Sequence, residues 1–460
     1  MVSLENLKYY HGDAFSFWVG PTVPQNAPDY ATKMAHLERV FQSCNIIKEC
    51  CNNWRDGLIS EPFTWYLKGQ DGERVDSEAD TTAAEVEIQL QRWIDWVNQQ
   101  AINADPTSTH FQQSDPWAEF VLSLGVLGEG ALRLWQPARY ADAADPIHRI
   151  HLHAPKAGSV KIKRNTDDGF IDEIRYCYGS HGDETHTLEG DIAKVAIQGS
   201  EELLEVDSGG RWLIQHVTGL PLLTRSVKKL QNSINHSLTM KLRNNEVAGF
   251  REKVFANAEL PEADIERGPG RDLYLYGVPT GDASNPGYTS VGIHESQPVD
   301  NASLVASVSL DRTLLYLEFC QGHLLSAGDG SLSGESRIQM RSQFELHLRG
   351  WKRRVESAIA NILNIVLRIL GYEGYEAVIT LQLCTGRLSS EERQVYIAEY
   401  QAGLLSKATA IAKLGSVSDV DAELSLISEE QQEESAARDR DPTIPSNSLT
   451  NPLDRMDEAE

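Results

Sequence analysis

Three histidines, His148, His151 and His153, fall in one short run, IHRIHLHA, and in an extended backbone His151 and His153 share a face. Imidazole pairs can ligate zinc, so a metal site is conceivable there. No third ligand stands at a readable spacing, however, and strand histidines are more often simply half-exposed. A second chemical candidate is the run SAGDGSLSGES, Ser326 to Ser336, which has the glycine content of a phosphate-binding loop but lacks the lysine that would reach a phosphate. No GxxxxGK[ST] loop, GxSxG elbow or HExxH pair occurs, so nucleotide hydrolysis, acyl transfer and zinc proteolysis lack their local signatures. The expectation is a chain with no catalytic residues, no metal and no cofactor, leaving an enzyme with dispersed residues as a remote alternative. The glycine loop reads as mobile rather than nucleotide-binding.

That loop is held between two helical patterns. From Ser336 to Leu370 there is no proline and one glycine, Gly350, which allows a helix of about 50 Å. Val355, Ile359, Ile362, Leu363, Val366, Ile369 and Leu370 recur at the spacing of one buried face. Arg337, Arg341, Arg349, Lys352, Arg353 and Arg354 crowd the first two thirds. The pattern predicts a helix that passes from basic and exposed to apolar and buried. By itself it fits a long core helix of a large helical domain.

At 460 residues and 41% hydrophobic content the chain can build two or three cored domains. It shows no basic start followed by an apolar run and no apolar stretch of membrane-spanning length, so neither a signal peptide nor a membrane span is expected. The six cysteines, Cys44, Cys50, Cys51, Cys177, Cys320 and Cys384, form no CxxC pair, which suits free, buried thiols in a reducing compartment. The formal charge of −25 argues against a protein that wraps duplex DNA by neutralising phosphates. It is compatible with a wall past which DNA slides, although plain solubility accounts for it more readily on composition alone.

Along the chain, PTVPQNAPDY reads as an extended arm. Leu37, Val40, Phe41, Cys44, Ile47 and Cys51 form a helical stripe ending near Gly57 and Pro62. A helix capped by Thr81 and Thr82 carries Val86, Ile88, Leu90, Trp93, Ile94 and Val97; another starts at Asp115 with Pro116 just inside it and runs toward Gly125. From Pro146 to Gly219 the period changes to short β-rich runs, IHRIHLHA, GSVKIKRN, FIDEIRYCYG, DIAKVAIQG and RWLIQHVTG, predicting a small antiparallel region. Pro221 opens a helix through Val227, Leu230, Ile234, Leu238 and Leu242 to about Asn245. A turn-rich insert follows, with DLYLYGV and YTSVGIHE as strands, and a helix restarts near Asp300. The tail after about Ala436 is charged and poor in large apolar groups, predicting disorder.

This order of parts resembles the portal proteins, or head-to-tail connectors, of tailed double-stranded DNA bacteriophages. TGLPLLTRSVKKLQNSINHSLTMKLRNN is similar to the entry of a portal's first stem helix. LLSAGDGSLSGESRIQMRSQFELHLRGWKRRVESAIANIL is similar to the tunnel loop running into the long helix, and YQAGLLSKATAIAKLGSVSDVDAELSLISEEQ to the helices that follow. The resemblance spans about Ala35 to Gln432 and rests on the ordered combination. It implies a mainly helical α+β portal fold of wing, stem, clip, tunnel loop, long kinked helix and crown. The divisions are wing 1–219, first stem helix 220–245, clip 246–298, second stem helix 299–322, tunnel loop 323–335, long helix and wing strand 336–388, crown helices 389–435 and acidic tail 436–460.

It further implies a non-enzymatic homo-oligomeric ring, usually of twelve subunits, at one capsid vertex of the virion, assembled in the host cytoplasm. Such a ring conducts double-stranded DNA non-specifically during packaging and ejection. It docks the large terminase subunit and then head-tail adaptor proteins, and it sits among major capsid and scaffolding proteins, with no membrane involved. The channel loop would be Ser326, Ala327, Gly328, Asp329, Gly330, Ser331, Leu332, Ser333 and Gly334, with Asp329 facing phosphates without binding them. The motor- and adaptor-binding clip residues would be Glu262, Asp264, Glu266, Arg267, Arg271 and Asp272. Lys228, Lys229, Arg337 and Arg341 either touch DNA phosphates in the bore or pair with acids of the next subunit; the abundance of Asp and Glu favours pairing. A narrow helix pair cannot bury both of its faces within one subunit, and repetition around an axis supplies the missing neighbours. The alternative is a different oligomeric scaffold or adaptor without a DNA channel.

Overall fold

The computed structural model describes residues 4–12, 29–59, 63–75, 80–103, 115–137, 140–156, 158–177, 183–201, 203–249, 253–259, 276–280, 287–295, 301–325, 334–386, 388, 390–414 and 424–428. The chain divides into two compact units, one of residues 1–325 and 344–384, the other of residues 326–343 and 385–460.

The first unit begins with α1 (Leu4–His11), α2 (Tyr30–Val40) and α3 (Ile46–Ile59). The stripe from Leu37 to Cys51 is therefore two helices rather than one. Phe41 is extended at φ −64 and ψ 125, and residues 41–45 are outside any helix. Next come β1 (Thr64–Lys68), α4 (Thr81–Asn103) and α5 (Pro116–Leu127). Asp80, not Thr81 or Thr82, caps α4, its Oδ1 accepting from the amides of Thr82 and Ala83. Asp115 caps α5 as expected, with Pro116 in the first turn. The helix continues past Gly125 to Gly128, whose φ of 78 closes it. Gly125 is needed for packing instead: a Cβ there would stand 2.7 Å from the Trp54 ring.

Every residue of α5 is buried, because it separates two cores. Phe120, Val121 and Leu124 join Trp54, Leu58, Leu90 and Trp93 in one; Leu122, Val126 and Leu127 join Tyr10, Ile47, Cys50 and Cys51 in the other. Only Cys50 and Cys51 of the six thiols are fully buried, and burial pushes both well above the ordinary thiol range; all six are free.

The β region holds β2 (Glu129–Trp135), β3 (His151–His153), β4 (Val160–Arg164), β5 (Ile171–Cys177), β6 (Asp183–Glu189), β7 (Ile192–Ile197), β8 (Leu203–Asp207) and β9 (Ile214–Thr218). Each of the five expected runs contains a strand, although the first opens as a 3-10 turn at Pro146–Arg149 and is extended only from His151 to His153; β1, β2, β6 and β8 gave no readable sequence signal. Strands β4 to β8 form an antiparallel meander in chain order, and β2 lies between β3 and β9 in a second sheet.

Helix α6 (Arg225–Gly249) runs a turn beyond Asn245. The insert after it contains β10 (Lys253–Ala256), β11 (Ala258–Glu259), β12 (Tyr276–Gly277) and β13 (Gly292–Glu295), paired β10 with β13 and β11 with β12. Helix α7 (Asn301–Glu318) returns antiparallel to α6. Ser226 donates to Glu318 at one end of the pair, and Asn244 and Asn245 bond Asn301 at the other. Cys320, at φ 58, stops α7, with the amide of Gln321 donating to the Tyr316 carbonyl at 2.8 Å.

Helix α8 (Gly334–Ile369) is the long helix. Its part in the first unit places Val355, Ile359, Ile362, Leu363 and Val366 in the core, and β14 (Glu376–Thr380) then pairs antiparallel with β1. Ile369, expected on the buried face, is 41% exposed.

In the second unit, the first turns of α8 accompany α9 (Ser390–Gln401) and α10 (Lys407–Leu414). Arg337 and Arg341 are buried there, contrary to the expectation of an exposed basic start. Arg341 binds Glu392 through both carboxylate oxygens, at 2.9 and 3.1 Å, and donates to Thr385 and Gly386. A bidentate guanidinium–carboxylate pair is the arrangement that makes such burial tolerable.

Candidate functional site

The candidate site is the antiparallel pair α6 and α7. Its root is anchored by polar side chains in an unusual place. Gln231, Asn235 and Thr239 repeat every fourth residue on α6 and are all buried. They face the non-helical segment between α2 and α3. Gln231 donates to the Cys44 carbonyl at 2.7 Å and to Asn235 at 3.0 Å; Thr239 accepts from the Gln42 amide at 3.1 Å and donates to the Asn235 carbonyl at 2.8 Å. The extended backbone of residues 41–45 thus finds on α6 the hydrogen bonds that a helix would have supplied internally. Sequence reading missed this ladder, although its four-residue polar spacing was visible inside an apolar helix.

Helix α7 is fixed from the same side. Tyr316 donates to Glu49 at 2.7 Å, and burial together with that carboxylate raises its hydroxyl to about 12. Gln321 donates to the Cys50 carbonyl at 2.7 Å. Leu315, Tyr316 and Phe319 pack with Val227 and Ile234 of α6.

The opposite side of α7 is also apolar. Leu310, Leu314 and Leu317 are 60%, 41% and 44% exposed. At 100° per residue they lie within about 60° of one another, away from Val308 and Leu315. An ordinary surface helix carries charge on that side. Here three leucines align in a stripe that nothing among the described residues covers.

The residues singled out in the sequence are distributed as follows. Lys228 pairs with Glu5 at 3.3 Å and lies 5.6 Å over the Tyr9 ring, holding α1 against α6, while Lys229 is exposed. Arg341 is committed to Glu392 within the chain, and Arg337 is buried. Gly334 begins α8. The loop Ser326 to Ser333, the residues Glu262, Asp264, Glu266, Arg267, Arg271 and Asp272, and the tail from 436 lie outside the described residues.

His148, His151 and His153 do not converge on a metal. His151 is enclosed by aromatic rings, with centroids at 4.5 Å to Trp96 and 4.6 Å to Tyr140. His153 is held neutral, pushed down to about 4 by burial and by the nearby Arg133 and Lys156. Among the described residues no group of His, Cys, Asp and Glu could hold a metal ion, and no helix is long and apolar enough to cross a membrane.

A separate cavity of about 300 Å³ lies beside β2 and the β6–β8 sheet, lined by Trp135, Ile197, Leu204 and Ile369 around Arg133, Glu184 and His186. Arg133 Nε donates to Glu184 at 3.0 Å and His186 Nε2 stands 3.3 Å from the same carboxylate. Burial pushes the Glu184 carboxyl up, but the His186 contact and the guanidinium outweigh it and leave it below the ordinary range. This trio ties β2 to the meander and has no signal in the sequence, since Arg133 stands far in the chain from Glu184 and His186, which are neighbours on β6.

No protein-family profile matches the chain, and no curated protein is similar to it. Among solved structures, a chain of the neck of an empty gene transfer agent (GTA) particle, computed with C6 symmetry, aligns over 83% of this chain and 92% of its own at 12% identity. The TM-score of that alignment is 0.36, a likeness too remote to carry an argument.

Proposed function

We propose that this chain is the subunit of a portal ring: a non-enzymatic connector at one capsid vertex of a phage-like particle, through whose channel double-stranded DNA passes. The observation that carries the reading is α7, a helix apolar on two opposite sides, of which one is buried on α6 and the other exposes Leu310, Leu314 and Leu317. A head-to-tail contact that covers this stripe and closes by rotation gives a ring, and a ring has a central opening. The β-containing insert between α6 and α7, and the glycine loop between α7 and α8, are then the clip and the channel constriction that the sequence resemblance implies. On this reading the clip meets the packaging motor and later the adaptor proteins. The acid-rich chain limits phosphate binding, so DNA slides instead of sticking.

Native mass spectrometry and negative-stain imaging of the purified chain test this directly. Closed rings with a central hole support it. A monomer or a two-fold dimer at micromolar concentration overturns it, and a closed ring with no opening wide enough for a duplex leaves the scaffold alternative in its place. Deleting Ala327 to Ser333 should preserve ring assembly while impairing packaging or retention of DNA.

A further inference from the structure

The five-stranded meander ends in two free edges of opposite character. Its order, β4-β5-β6-β7-β8, leaves β4 and β8 each paired on one side only among the described residues. Strand β4 reads VKIKR: Lys161, Lys163 and Arg164 are exposed, and Val160 and Ile162 are half-buried. Strand β8 reads LLEVD: Leu203 is 51% and Leu204 46% exposed, and exposed Glu201 and Glu205 flank them. Glu205 also stands 3.5 Å from Lys194 on β7, which leaves its carboxylate partly available.

An open edge is a template for another strand, and folded proteins guard such edges with lysines. Strand β4 has that guard. Strand β8 has none, and it presents two exposed leucines instead. The charges discriminate between pairings: β4 against β4 juxtaposes lysines, β8 against β8 juxtaposes acids, and only β4 against β8 sets opposite charges across the ladder. Like-with-like pairing is the two-fold arrangement; unlike pairing is head-to-tail. Because β4 and β8 are the first and fifth strands of an antiparallel meander, they run in the same direction. A rotation about an axis along the strands therefore brings them side by side in parallel.

We infer that β8 of one subunit pairs with β4 of the next copy of this chain, joining the meanders into a continuous belt. This deepens the ring reading and rests on it. It adds a second inter-subunit contact, of main-chain hydrogen bonds and matched charge, to the apolar stripe of α7. It also assigns a purpose to the segregation of lysines and acids onto opposite edges of one sheet.

The test is site-directed cross-linking of the full-length chain with a short bismaleimide, reading covalent species on denaturing gels beside native mass. Three variants are compared with the unsubstituted chain, whose exposed Cys44 sets the background: Lys163→Cys, Leu203→Cys, and both together. The inference expects a ladder of covalent multimers from the double variant and only background from each single one. Dimers from either single variant overturn it in favour of two-fold pairing. Closed rings in native mass with no ladder also overturn it and leave the ring reading standing. A monomeric native mass sinks both. As a second arm, Lys161→Glu with Lys163→Glu should raise the concentration needed for assembly about tenfold at low salt, an effect that fades at high salt. A shift that is independent of salt counts against charge matching.

Discussion

Replacing Leu310 and Leu314 with glutamine isolates the exposed side of α7 from its buried side. Their exposures of 60% and 41% leave apolar surface that a neighbour would cover. For a leucine of about 180 Å², at ~25 cal/mol per Å², covering it is worth about 2–3 kcal/mol per residue as an upper bound. Each substitution should therefore weaken a subunit contact by roughly 30-fold, and the pair by about a thousandfold. The fold of the single chain should hardly respond, since neither side chain contributes to its core, and exposed substitutions change stability by about 0.5 kcal/mol or less. Sedimentation velocity across a concentration series gives the assembly equilibrium, and far-UV circular dichroism with a urea melt gives the fold. If the double variant assembles as the parent does while remaining folded, α7 is not an inter-subunit surface. The control is Leu315→Gln on the opposite side: Leu315 is 0% exposed, so that change should unfold or destabilise the chain itself.

Three other outcomes follow from the described contacts. Glu392→Ala removes the partner of a buried guanidinium, which should cost about 3–5 kcal/mol in the second unit. The loss should appear as early protease cleavage near α9 or a separate low-temperature transition, and an unchanged melt would refute the clamp. His153 is pushed down to about 4, whereas an unfolded imidazole titrates near 6.5, so the unfolded chain binds the extra proton between those values. Stability is complete above pH 6.5 and falls on acidification toward pH 4, by as much as about 3 kcal/mol; His216 and His347, also lowered by burial, act in the same sense. His153→Gln should flatten part of the urea midpoint's dependence on pH in that window, and an unaltered slope would sink the assignment. Cys320→Gly relieves a side chain from the left-handed region at φ 58 and should stabilise the end of α7 by about 0.5–1 kcal/mol; a lower melting temperature would show that the cysteine's packing outweighs its backbone strain.

Much of the chain's local order was legible before any coordinates. Asp115 and Pro116 announce the start of α5, because a carboxylate acceptor followed by a residue without an amide hydrogen suits a helix N-terminus. The run of Val355, Ile359, Ile362, Leu363 and Val366 reports the buried face of α8, and the β-branched runs report β4, β5, β7 and β9. Such signals are periodic, and a period belongs to the backbone conformation itself.

What escaped depended on partners remote in the sequence. Residues 41–45 carry an apolar stripe that would suit a helix, yet stay out of one because Gln231, Asn235 and Thr239, almost two hundred positions later, satisfy that backbone. Arg337 and Arg341 read as exposed charges turned to DNA phosphates or, by preference, to acids of the next subunit; Arg341 is buried because Glu392 of its own chain reaches it, and no spacing rule links a side chain on α8 to one on α9. Ile369 sits at a core spacing and is exposed, whereas its neighbours Leu367 and Leu370 turn to the core. The sequence by itself therefore determined which segments are helical or extended and which of their faces are apolar. The tertiary structure alone decided which faces are covered, which charges are buried and which strands stand at an edge, because burial and pairing are relations between distant segments and local period carries no record of them.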